Sequence, residues 1–137
     1  MTWVDSNILL DVITAGRRWA AWSEHQLERA ALNGPLVIND VIYAEVSARY
    51  SAFETLDKLL EQNAIAAIPM PRPALFLAGK IFIRYRRVGG VHTGVLPDFF
   101  IGTHAAVEGI SLLTRDTQRY RTHFPTVTLI SPDEGGV

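Results

Sequence analysis

The sequence predicts an α/β domain with a parallel sheet and helices on both of its faces. Three observations carry this. Short apolar runs of strand length alternate with helix-length segments along the whole chain. Those runs are bounded by Asn, Asp, Gly and Pro, which stop strands and start or end helices. The chain of 137 residues, 48% apolar and without cysteine, is long enough to bury a core with no disulfide support.

Each element follows from local pattern. Trp3-Val4 is a very short strand, halted by Asp5-Ser6-Asn7, and a short helix is expected over Ile8–Ile13. From Arg17 to Leu32, Trp19, Ala20, Ser23, Leu27, Ala30 and Ala31 share one helical face, and Asn33-Gly34 ends that helix. Pro35–Ile38 is a buried strand, and Asn39-Asp40 starts a helix from Val41 to about Arg49, with Asp40 as its expected cap. Phe53, Leu56 and Leu60 mark a further helix by their spacing. Ala64–Ile68 is the third strand, closed by Pro69 and Pro71. Pro73–Val88 is a helix with a wide apolar face (Leu75, Ala78, Ile81, Phe82, Tyr85), ended by Gly89-Gly90. Pro97 opens a helix running to Glu108. Ile110–Leu113 is a strand, Gln118–Arg121 a short helix, and Val127–Ile130 the last strand. One domain is expected over residues 1–131, with a polar, Gly-rich tail over 132–137 that frays.

Composition excludes several classes. Without cysteine there is no disulfide scaffold, Cys-based zinc site or thiol nucleophile. No apolar run reaches the ~18 residues that span a bilayer. The N-terminus carries Asp5 and Asp11 and no basic segment, so a cytoplasmic domain is expected rather than a secreted one. The formal charge of −1 is unevenly spread. Gln62 to Pro97 holds no acid but contains Arg72, Lys80, Arg84, Arg86 and Arg87, and a second basic group is Arg115, Arg119 and Arg121 beside His123. Arginine's planar fork suits phosphate oxygens.

The carboxylates point to a site. In open parallel sheets the active crevice lies beyond the carboxyl ends of the strands. Asp5 directly follows the first strand, and Asp116 follows the fourth after Thr114-Arg115. Glu45 lies about one and a half turns into the helix after the second strand, and Asp98 is in the first turn of the helix leading to the fourth. Each has a purely structural alternative: Asp5 and Asp116 as helix caps, Asp98 as a favourable charge at a helix start, Glu45 as a partner of Arg49. Gly102 and Ala105 share the face of Asp98, and their small size suggests a close approach of that helix to the central strand. Two unit charges 4 Å apart repel by about 4 kcal/mol at an effective dielectric near 20, so four converging acids need raised pKa values or bound cations. Oxygen-only ligands favour Mg²⁺ or Mn²⁺, and such a metal facing a basic rim suits phosphodiester hydrolysis.

Val4-Asp5-Ser6-Asn7, Ala44-Glu45, Leu96-Pro97-Asp98-Phe99-Phe100-Ile101-Gly102 and Leu113-Thr114-Arg115-Asp116 together resemble a PIN-domain ribonuclease, and most of all the VapC-type toxins of bacterial toxin–antitoxin pairs. No one of these segments is specific alone; the four in this order, from Asp5 to about Ile130, are. The resemblance implies a PIN-like three-layer sandwich with a five-stranded parallel sheet, Mg²⁺- or Mn²⁺-dependent RNA cleavage, a cognate antitoxin that blocks the site, and a homodimer. It implies that Asp5, Glu45, Asp98 and Asp116 are the catalytic and metal-binding quartet, with Asn7 and Thr114 in support. The loop Gly89–Gly94, Gly-rich and carrying His92, departs from the family pattern.

For RNA contacts the candidates are Arg84, Arg86, Arg87 and Arg115. Asp11 is expected to be a solvated or capping acid, His104 a surface residue off the Asp98 face, and Trp3, Trp19 and Trp22 core or interface residues. The competing function is a catalytically silent RNA- or protein-binding PIN-like module. A dehalogenase-like phosphatase is disfavoured because Asn7 stands where its second acid belongs, and a phosphate-receiver domain because paired acids are lacking at the first strand end.

Overall fold

The computed structural model describes residues 1–87, 89 and 96–132. The loop with His92, the Arg119 side chain and the tail beyond residue 132 lie outside what is described. The elements in chain order are β1 (Thr2–Val4), α1 (Ser6–Thr14), α2 (Ala20–Leu32), β2 (Leu36–Asn39), α3 (Asp40–Ser47), α4 (Phe53–Gln62), β3 (Ile65–Ile68), α5 (Arg72–Arg87), α6 (Leu96–Glu108), β4 (Ser111–Leu113), α7 (Gln118–His123) and β5 (Leu129–Ile130).

The strands form one five-stranded sheet in the order β3-β2-β1-β4-β5, every pairing parallel. In register, Thr2 faces Leu36 on one side and Ser111 on the other. All residues of β1 and β2 are buried, as expected of strands covered on both faces. At one edge β3 exposes Ala66 and Ala67, where small side chains leave little apolar area uncovered.

Chain order and strand order together locate the crevice. From β1 the chain builds outward through β2 and β3, then crosses back so that β4 and β5 extend the other side. The direction of winding reverses between β1 and β4, and helices leaving the two sides diverge there. Asp5 follows β1 and Thr114 follows β4, so both flank that switch point. Asp5 N–H donates to Leu113 O at 3.0 Å, which ties the two strand ends together.

Three local expectations change. The cap of α3 is Asn39, whose Oδ1 accepts from Ile42 N–H at 2.9 Å, and Asp40 is the first helical residue. The α7 cap position is Thr117, so Asp116 stays in the preceding loop and does not cap. His104 is fully buried rather than on the surface. Residues 101–105 of α6 are all buried, so this helix has no solvent face there on which a histidine could lie. His104 packs on Trp3 with ring centroids 4.3 Å apart, and its Nδ1 meets Asn39 Nδ2 at 3.3 Å. Burial lowers its pKa and favours the neutral ring.

The small residue at Gly102 admits a side chain rather than the central strand. A Cβ built there would lie 2.9 Å from Phe124 Cγ, with other atoms of that ring closer still. Phe124 is buried and stacks near Phe99, with centroids 6.0 Å apart. The glycine thereby lets the residue after α7 close over the start of α6.

Candidate active site

Asp5 is the centre of the site. It is 3% exposed, a burial that a carboxylate tolerates only with several hydrogen-bond donors. Its Oδ1 accepts from Ser6 N–H at 2.7 Å, making it the N-cap of α1. Its Oδ2 accepts from Thr114 Oγ1 at 2.8 Å, from Tyr120 OH at 3.0 Å and from Asn7 Nδ2 at 3.4 Å. The Ser6 hydroxyl lies 3.4 Å from Asp5 Oδ1 and 3.0 Å from Glu45 Oε1. It has one proton to give, and the shorter contact is with Glu45. Ser6 thus links two acids that are 39 residues apart, and Glu45 is turned to α1.

Thr114 and Asn7 hold the other strand end. Thr114 Oγ1 donates to Asp5 and accepts from Asn7 Nδ2 and from Asp116 N–H, both at 3.1 Å. Asn7 Oδ1 accepts from Arg115 N–H at 3.1 Å. The two supporting residues read from the sequence therefore do touch Asp5 and each other.

Electrostatic repulsion couples the four acids in pairs. Burial pushes the Asp5 carboxyl above its ordinary value, the bonds from Thr114, Tyr120 and Ser6 N–H pull it back, and the charge of Asp116 adds to the rise. Glu45 is raised by burial, lowered by Ser6, and raised again by the charges of Asp5 and Asp98. Tyr120 is pushed well above its ordinary value by burial, by Asp5 and Asp98, and more weakly by Asp116. Each acid of the quartet is within electrostatic reach of another.

These carboxylates are not a closed cage. Among the described residues, no three His, Cys, Asp or Glu side chains group as a ready metal set. Asp5 is fixed by its donors, Glu45 and Asp98 are half-buried, and Asp116 is exposed on a cleft of about 340 Å³ that it lines with Gln118, Thr122 and His123. The chemistry of the donors, oxygen only and mutually repelling, fits a hard divalent cation.

An aromatic wall stands behind Asp98. Phe99 meets Tyr85 at 5.2 Å and His123 at 5.1 Å between centroids. Tyr85 thereby packs the end of α5 against Phe99 and His123, and Arg84, Arg86 and Arg87 on that end are exposed. Arg115 is elsewhere engaged. Its guanidinium pairs with Asp11, which is buried rather than solvated. Its Nε and Nη2 are both taken by that carboxylate. Trp3 is in the core as expected, and Trp19 and Trp22 are half-buried, edge to face, at the start of α2.

Two contributors went unread in the sequence, Tyr120 and Ser6. Tyr120 is fully buried, and a buried tyrosine must place its hydroxyl on a partner. An apolar-face reading of the short helix after Asp116 would have placed the ring inside and prompted a search for that partner.

Comparison with known proteins agrees with this architecture. The PIN domain family matches residues 3–125. No curated protein sequence matches the chain. Among solved structures, VapBC2 from Rickettsia felis bound to a promoter DNA fragment is similar, with a TM-score of 0.72 at 20% identity over 96% of this chain and 98% of that one. VapBC-1 from nontypeable Haemophilus influenzae gives 0.68 at 17% identity, covering 96% and 98%. FitAcB from Neisseria gonorrhoeae gives 0.63 at 19%, covering 98% and 100%. At these identities the structures establish the fold, and the family match spans most of the chain. The protein belongs to the PIN-domain family.

Proposed function

We propose that this protein is a Mg²⁺- or Mn²⁺-dependent endoribonuclease and the toxin of a type II toxin–antitoxin pair. The observation that carries the reading is the coupled quartet around Asp5, at the switch point of the sheet, with the arginine-rich end of α5 packed through Tyr85 on Phe99. Asp5, Glu45, Asp98 and Asp116 would hold the cation. When bound, a divalent cation activates water near neutral pH and offsets charge on the scissile phosphate. The chain's own residues do the rest. Thr114, Tyr120 and Asn7 orient Asp5, Ser6 keeps Glu45 alongside it, and Arg84, Arg86 and Arg87 attract the RNA backbone without reading its sequence. The toxin assignment rests on the likeness to VapBC and FitAB structures and to a toxin–antitoxin complex from Klebsiella pneumoniae, and a cognate antitoxin is the expected partner here.

Purified protein incubated with RNA and Mn²⁺ should cut it internally, and both chelation and Asp98→Ala should stop the reaction. Cleavage at the same rate by Asp98→Ala would sink the proposal. RNA binding with neither cleavage nor Mn²⁺ uptake at millimolar concentration would make the chain a silent binding module.

A homodimer is also proposed, on a revised surface. Ala78, Leu56 and Leu60 are consumed by the core, while Phe53 (67% exposed), Phe76 (70%), Leu75, Leu77 and Ile83 remain open on α4 and α5. Large apolar side chains left exposed on these two helices are candidates for such a contact. Light scattering at tens of micromolar should report twice the chain mass, and a monomer would remove this surface from the account.

A further inference from the structure

The Asp11–Arg115 pair lies outside the quartet, yet it is built with care for geometry. Arg115 Nε donates to Asp11 Oδ2 at 2.6 Å and Nη2 to Oδ1 at 2.8 Å. Ser23 Oγ, from α2, donates to Asp11 Oδ2 at 2.7 Å. The Trp19 ring lies against the guanidinium, 5.0 Å from its centroid to Cζ. The Asp11 side chain is 10% exposed and that of Arg115 28%, so neither charge is well hydrated and each depends on the other. A bidentate pair of this kind sets direction as well as distance.

Its consequence follows from the pitch of α1. Asn7 and Asp11 are four residues apart and share a helical face. Arg115 is bonded to both, through its N–H to Asn7 Oδ1 and through its side chain to Asp11. The segment 114–116 is thus pinned along α1 at two points one turn apart. On one side of the pinned residue, Thr114 donates to Asp5. On the other, Asp116 gives its N–H to Thr114 Oγ1 and carries its carboxylate to the cleft.

We propose that the Arg115–Asp11 pair, backed by Ser23 and Trp19, is a positioning clamp that sets the Asp116 carboxylate against Asp5. The clamp's role in cleavage rests on the quartet's being the nuclease site. Arg115 acts through the loop that carries Thr114 and Asp116, and it does not serve as an RNA phosphate contact.

Arg115→Lys is the informative variant, because lysine keeps the charge and loses the fork. It should lower kcat by about ten-fold while KM and its salt dependence hold within about two-fold, the mark of lost geometry rather than lost binding. Calorimetry with Mn²⁺ alone, on protein without RNA, should show binding about ten-fold weaker, since one ligand is no longer held in place. Amide hydrogen exchange at Arg115 and Asp116 should quicken while Thr2–Val4 keep their protection. Ser23→Ala, a milder change that loosens only Asp11, should move all three readouts the same way by less. Asp11→Asn combined with Arg115→Lys should be no worse than either alone, since both remove one contact.

Wild-type kcat, Mn²⁺ affinity and exchange in Arg115→Lys would overturn the clamp. So would a raised KM and a flattened salt dependence at constant kcat, which would return Arg115 to the RNA surface. If the unaltered protein neither cleaves RNA nor takes up Mn²⁺, the nuclease proposal falls instead. Exchange at residues 115 and 116 still decides the clamp, with quickening supporting it and unchanged protection ending it.

Discussion

Asp5→Asn is expected to abolish RNA cleavage and to make the metal-free fold more stable. The two effects have one cause. Asp5 is almost fully buried, and both burial and the charge of Asp116 disfavour its ionised form more than its hydrogen bonds favour it. Its pKa is therefore higher in the folded than in the unfolded chain. The folded state then holds this proton more tightly, so the penalty is absent below the ordinary value of 3.8, grows as pH rises, and is complete above the raised value. Asparagine keeps the shape and an oxygen for Ser6 N–H and carries no charge, and its NH2, in the place of Oδ2, meets the Tyr120 hydroxyl, which can turn to accept. The difference in unfolding midpoint between variant and wild type should thus widen as pH rises above about 4. Mn²⁺ should act in the opposite sense, raising the midpoint of the wild type and leaving the variant unmoved. At a hundred times its Kd a bound ion adds about 2.7 kcal/mol, and each kcal/mol moves a domain of this size by roughly 3–4 °C. Cleavage should drop ~10³-fold or more, the scale of removing preorganised transition-state electrostatics. Melting curves across pH with and without Mn²⁺ decide the matter. A variant less stable at every pH, with a wild type indifferent to Mn²⁺, would refute it.

Tyr120→Phe should slow cleavage about ten-fold and move the acid limb of the rate profile to higher pH. The Tyr120 hydroxyl donates to Asp5 Oδ2 at 3.0 Å, and that bond lowers the Asp5 pKa. Burial and the surrounding acids push the phenol itself well above its ordinary range, so it remains a donor throughout working conditions. Phenylalanine fills the same space and keeps the packing on Phe124, whose ring centroid is 6.5 Å away. Only the bond is lost. A hydrogen bond to a charged group is worth about 1.5–3 kcal/mol, and one pH unit corresponds to about 1.4 kcal/mol. Without it Asp5 holds its proton to higher pH. More Mn²⁺ should then be needed at a given pH, because the cation competes with that proton. Profiles of kcat/KM against pH that superimpose for the two proteins would show that the hydroxyl does not act on Asp5.

The elements themselves were readable because their signals are local. Asn33-Gly34, Pro69, Pro97 and Gly109 interrupt the chain where helices and strands begin or end, and every expected element is present with ends shifted by a few residues. The four acids were readable for a related reason. They follow strand ends or lie in early helical turns, and a parallel sheet brings such positions to one edge. His104 and Asp11 were misjudged because burial is not local. The helical face of His104 looked free until α6 was found buried on all sides at that point, and Asp11 looked solvated until Arg115, 104 residues away, closed on it. Tyr120 and Ser6 were unread for the same reason, each being defined by a partner from a distant element.

The sequence by itself determined that this chain is a parallel α/β domain with an acid quartet and a basic flank, because periodicity, turn residues and charge are properties of neighbours along the chain. It also held the quartet's charge balance. Setting those four proposed site acids apart leaves 13 basic against 10 acidic residues, so the net −1 divides into −4 on the four and +3 on the rest. Tertiary structure alone decided that Thr114 and Tyr120 hold Asp5, that Ser6 joins it to Glu45, and that Arg115 pairs with Asp11. Those facts depend on hydrogen bonds with a reach of about 3 Å between side chains far apart in the chain. Only folding brings such groups that close, and nothing in their spacing along the sequence encodes which of them will meet.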